Sequence, residues 1–66
     1  MNTALLKSRM ALSGVNQTQL AKALHRTDNW VSRAFNGKAE FRLDDIRILK
    51  EVLSLTPEQI DDIFLS

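Results

Sequence analysis

Sixty-six residues with no Cys and a single His allow one small domain, near the lower limit at which an apolar core alone holds a chain together. They exclude a disulfide framework, a thiolate metal site and a cluster of imidazoles. The net charge of +1 hides a division: residues 1–38 carry six Lys and Arg against one acid, and residues 39–66 carry three against seven, which suggests a nucleic-acid partner or, equally, a solvated surface with charges scattered by chance.

No apolar run approaches the roughly 18 residues of a membrane span, and the N-terminus lacks the basic-then-apolar order of a signal peptide, so a reducing cytoplasmic location without membrane contact is expected. Helical spacing recurs along the chain and period-two alternation does not, which predicts an all-α fold with 1–66 as a single domain. Leu5, Leu6, Met10 and Leu12 place a first helix from about residue 3 to Ser13, ended by Gly14. Asn16 as cap and Gln19 three residues on predict a second helix from Gln17 to about Leu24, with Leu20, Ala21 and Leu24 inward.

His25, Arg26 and Thr27 form a three-residue turn, with Thr27 as the next cap and Asp28 near the positive dipole end. The third helix, about 28–36, buries Val31, Ala34 and Phe35 and stops where Asn36-Gly37 supplies left-handed conformations. After the loop Lys38 to Arg42, a fourth helix runs from about Leu43 to Ser54 with Leu43, Ile46, Leu49 and Leu53 on one stripe and Ile48 and Val52 beside it. Thr56, Pro57 and Gln59 start a fifth helix, with Ile60, Ile63 and Phe64 apolar.

Two short helices joined by a three-residue turn, the second with a polar outer face, form the helix-turn-helix arrangement, whose second helix enters the DNA major groove. At 100° per residue, Asn29, Ser32, Arg33 and Asn36 lie opposite Val31, and Asp28 sits at the exposed first turn. Asn can pair with adenine, Arg with guanine and Asp with the cytosine amino group, so this face can read base edges, although a polar outer face is ordinary on any surface helix.

Residues from about Leu6 to Ile60 resemble the lambda-repressor-like family of phage repressors and Cro proteins: "GVNQTQLAKAL" is similar to its helix-two signature and "VSRAFNGK" to the end of its recognition helix. The tail "FRLDDIRILKEVLSLTPEQIDDIF" resembles that of small single-domain regulators in phages and prophages of Gram-positive bacteria. The resemblance implies a compact five-helix domain that binds double-stranded DNA through the major groove and regulates transcription by occupying an operator. It further implies base-reading positions at Asp28, Asn29 and Arg33, to which the helical wheel adds Ser32, and phosphate contacts at Asn16, Gln17, Asn36 and Lys38, to which the loop's second cation, Arg42, is added. Thr27 and Trp30 flank that face; Trp30 is read as a lid over the edge of helix two, or else as a contact with DNA sugar or a thymine methyl.

Three positions depart from the family. Its turn usually carries Gly where this chain has His25 and an apolar residue where it has Arg26. Its Arg and Glu pair between helix one and the recognition helix is replaced by Met10 and Phe35, an exchange of an ion pair for packed apolar groups. The loop "KAEFR" offers only Lys38 and Arg42, with Glu40 between them.

Lone His25 has no acid, nucleophile or second ligand at a recognisable spacing, so no enzyme, cofactor, metal or small-molecule ligand is expected. The length resembles a Cro-type protein or an excised N-terminal domain of a longer repressor. A palindromic operator implies a weak homodimer, forming mainly on DNA, through Ile48, Val52, Ile63, Phe64 and Leu65. The alternative is a phage accessory or antirepressor-type module that uses the same fold to bind another protein, with weak or no DNA binding.

Overall fold

In the computed structural model, which describes residues 1–65, caps and left-handed stops divide the chain into five helices: α1 Thr3–Leu12, α2 Gln17–Ala23, α3 Asp28–Phe35, α4 Leu43–Val52 and α5 Pro57–Phe64. The starts follow the capping chemistry. Asn2, Asn16, Thr27 and Thr56 each accept a hydrogen bond from a backbone N–H in the first turn of the helix they precede. At α2 and α5 the box is closed by Gln19 and Gln59, whose side chains accept from the cap residue's own N–H at 2.9 Å.

The first four helices end in the same way. A left-handed residue follows each C-cap, Gly14 (φ 69°), His25 (φ 56°), Gly37 (φ 75°) and Ser54 (φ 50°). The N–H of the residue after it returns to the carbonyl five positions back: Val15 to Met10, Arg26 to Ala21, Lys38 to Arg33 and Leu55 to Lys50, at 2.8 to 3.0 Å. This is the Schellman geometry, and at two of the four sites a residue with a Cβ occupies the position that glycine fills without steric cost. Asn36 does not share in the left-handed turn; its φ is −93° and Gly37 alone supplies the reversal. His25→Gly and Ser54→Gly are each expected to raise the unfolding free energy by about 0.5 to 1 kcal/mol, measured by urea denaturation, because the relieved strain outweighs the extra unfolded-state freedom of glycine. A loss of stability in both would show that neither side chain is strained.

The core gathers Leu6 and Met10 from α1, Leu20, Ala21 and Leu24 around α2, Val31 from α3, Leu49 and Leu53 around α4, Leu55, and Ile63 from α5. Each fully buried leucine contributes about 1.5 to 3 kcal/mol relative to exposure. Helix α2 packs on both α3 and α4, while α1 packs on α5. The N–H of Asn2 donates to the carbonyl of Ile63 and fastens the start of the chain to α5.

Four apolar residues are placed differently from the periodicity reading. Leu12 (73% exposed) and Leu43 (65%) project outward, because they fall on the last and first turns of their helices, beyond the layer of neighbours that could cover them. Phe35 is half-buried, packing on the core cluster that contains Met10 while its ring lies beside Lys7. Ile63 is fully buried and completes the interior, so it is withdrawn from the apolar surface assigned to α4 and α5. Of that surface, Ile48, Val52 and Phe64 are half-buried and Leu65 is exposed. Phe64 and Leu65 border a groove shared with Phe41 and Ile46, whereas Ile48 borders another with Leu55. No helix of the described residues is long and apolar enough to cross a membrane.

Candidate nucleic-acid interface

Val31 and Ala34 bury one side of α3 against the core, and this fixes what the other side presents. Asp28, Asn29 and Arg33 are exposed and Ser32 is half-buried. The first turn of α3 is not free to rotate, because α2 holds it through side chains. Gln17 Nε2 donates to the carbonyl oxygen of Asp28 and to Ser32 Oγ, both at 3.1 Å, and Thr18 Oγ1 donates to Asp28 Oδ2 at 3.2 Å. Asp28 therefore keeps one carboxylate oxygen uncommitted, and Ser32 keeps its O–H available as a donor.

The same bonds narrow what Gln17 can offer an anion. Both amide protons point at α3, and the remaining amide oxygen has nothing to donate, so only the backbone N–H at the start of α2 is left for a phosphate. Asn16 differs. Its side-chain oxygen caps Gln19 N at 2.8 Å, and on this exposed residue the NH2 group makes no hydrogen bond to the described residues, so its two donors are unspent. Capping and anion binding are thus compatible at Asn16.

Beyond α3, Asn36 and Lys38 are exposed, as is Arg42 at the cap of α4. The ion pairs of the described residues are Arg26 with Asp45 and Arg47 with Asp44, which leaves Arg33, Lys38 and Arg42 without acidic partners. The loop that carries Lys38 and Arg42 is fastened from below by Phe41. Its ring lies 5.5 Å from that of Trp30, 6.1 Å from Phe64 and 6.4 Å from Phe35, so that all four aromatic side chains of the chain meet there.

Trp30 is half-buried in this cluster, and the residues that cover it are Arg26 of the turn and Phe41 of the loop. It packs against the join between turn and loop, and not over the edge of α2. Thr27 is exposed and spends its hydroxyl oxygen on capping Trp30 N at 3.1 Å.

Two features escaped the sequence reading. Asp45, 4% exposed, accepts from the Arg42 N–H at 2.8 Å and from Arg26 Nη2 at 3.0 Å and Nε at 3.4 Å. The Arg26 guanidinium in turn lies 4.0 Å from the centre of the Trp30 ring. The turn residue that departs from the family's apolar preference is thus held by a carboxylate on α4 and a ring on α3. An acid three residues into α4 is a recognisable capping signal; its pairing with Arg26, nineteen residues away, is not.

Residues 3–63 match the helix-turn-helix domain family. The chain belongs to that family. As a helix-turn-helix domain it has α2 and α3 as the defining pair, with the polar side of α3 turned outward. Among curated proteins it is similar to a cyanate hydratase of Coprinopsis cinerea (strain Okayama-7), 36% identical over 59 residues, which cover 89% of this chain and 38% of that protein. The chain therefore spans well under half the length of that relative. No solved structure matched.

Proposed function

We propose that this helix-turn-helix domain is a sequence-specific DNA-binding transcriptional regulator of the Cro or phage-repressor type, cytoplasmic, occupying an operator through α3. The observation that carries the proposal is the outward side of α3 and the loop after it. Asn29 and Arg33 stand exposed, Asp28 and Ser32 are held in register by Gln17 and Thr18, and Lys38 and Arg42 beside them lack acidic partners. Asp28, Asn29, Ser32 and Arg33 read base edges; Asn16, the Gln17 N–H, Asn36, Lys38 and Arg42 hold phosphates.

The domain measures 27 Å along its longest axis, less than the roughly 34 Å between successive major grooves on one side of DNA. A palindromic operator with two such half-sites therefore takes two copies. Of the apolar residues assigned to pairing, Ile48, Val52, Phe64 and Leu65 stay at least partly exposed, Phe64 and Leu65 on one groove and Ile48 on another, and a weak homodimer forming on DNA through either is the expected state.

Selection from randomised duplexes tests the reading; a two-fold site with half-sites one turn apart is expected, bound by two chains. Lys38→Ala is expected to weaken every duplex alike and to lower the slope of log affinity against log salt by about 0.9 for each bound chain, the value for one phosphate. An unchanged slope would remove Lys38 from the interface.

A second reading has one observation in its favour. The relative bears the name of an enzyme and is much longer than the chain, so a segment similar to this domain also occurs within a protein named for catalysis. In that reading the domain is a protein-interaction module, of the accessory or antirepressor kind, or one part of an enzyme. Failure to select any duplex, with a partner protein or catalytic polypeptide recovered instead, would favour it.

A further inference from the structure

Arg26, Trp30, Lys38, Glu40, Phe41 and Arg42 border a single cleft beside α3. Its lining includes two aromatic residues, three cations and one acid. Arg26 is the cation most firmly held. Asp45 takes its Nε and one Nη2 proton, and the Trp30 ring covers its face. A guanidinium has five N–H donors, so three remain, and the side chain keeps 29% of its exposure.

A planar fork fixed along one edge and one face, with its other edge open to a basic cleft, has already met the ordering cost of binding an anion. We propose that Arg26 is a phosphate-binding residue: its free edge donates to a backbone phosphodiester of DNA in this cleft, with Lys38 and Arg42 on the rim and Asp45 as the positioning residue. The inference rests on the DNA-binding reading and adds a contact from the turn between the two helices. Asp45 does not cancel it, since the pair's guanidinium keeps unshared donors on the side away from the carboxylate. Glu40 opposes it, so Glu40→Gln tightens all duplexes alike.

The test compares the wild-type chain with Asp45→Asn and with the double variant Arg26→Met/Asp45→Asn, which keeps an apolar stem against Trp30 and an amide oxygen for the Arg42 N–H. Affinity for the selected duplex and for a scrambled one is measured from 50 to 200 mM salt. For each bound chain the double variant is expected to lose about 0.9 from the salt slope on both duplexes, so that its salt-induced loss of affinity over that range is roughly 3.5-fold smaller per chain, with base preference unchanged. Asp45→Asn alone keeps the wild-type slope or exceeds it. A double variant that is folded and keeps the full slope overturns the proposal, whereas a wild-type chain that binds neither duplex overturns the DNA-binding reading and the proposal with it.

The unmutated chain provides a second readout that does not depend on the variants folding. Trp30 is the single Trp, and Arg26 lies over it. In duplexes carrying one neutral methylphosphonate at successive positions, one position per half-site is expected at which affinity falls and the Trp30 emission change on binding is lost. An emission change that survives at every position overturns the proposal.

Discussion

Asp45→Ala is expected to lower the unfolding free energy by about 2 to 3 kcal/mol. Removing one partner of a buried pair costs about 3 to 5 kcal/mol, and that range is reduced here because Arg26 remains partly exposed. The same substitution removes the acceptor for the Arg42 N–H at the start of α4. A chain of this length has about 3 to 10 kcal/mol in all, so the urea midpoint should fall markedly. Arg26→Met/Asp45→Asn should recover much of the loss by removing both charges together. A loss under about 0.5 kcal/mol for Asp45→Ala would mean that the pair is solvated and does not join the turn to α4.

Arg33→Ala and Asn29→Ala should leave stability within about 0.5 kcal/mol, since both side chains are exposed. Their effect should fall on recognition. Each is expected to weaken the selected duplex by about 1 to 3 kcal/mol and to relax preference at one base pair, the signature of a lost bidentate contact. Binding isotherms on the selected duplex and on single-base variants check this. If Arg33→Ala retained both the selected site and its affinity, α3 would not be the reading helix.

The helix starts were legible because capping is local: Asn16 with Gln19, and Thr56 with Pro57 and Gln59, announce α2 and α5 within four residues. Two of the four left-handed stops were legible as glycines and a third as the His25 departure. Ser54 was not, since nothing in a serine's side chain marks it for positive φ. Leu12 and Leu43 match the helical period but lie at helix ends, where periodicity says nothing about whether a neighbour is present to cover them.

Within the candidate site, the outward residues of α3 could be read from a helical wheel. The bonds that orient them could not. Gln17 to Ser32, Thr18 to Asp28 and Arg26 to Asp45 join residues ten to nineteen positions apart, and they exist only once α2, α3 and α4 pack together. Phe41 is a similar case: an aromatic in a polar loop gains its meaning from the three rings around it. Such tertiary bonds convert a generic polar helix face into one with a fixed register, on which discrimination between base pairs depends.

Because non-specific attraction to phosphates alone would make any basic surface bind DNA, the decisive quantity is the ratio of affinities for the selected duplex and a scrambled duplex of equal length and composition at one salt concentration. A ratio of about 1,000 or more is expected for two copies on a two-fold site, falling by roughly 5-fold or more in Arg33→Ala. Equal affinity for the two duplexes, or no binding to either, would rule out sequence-specific recognition by this domain.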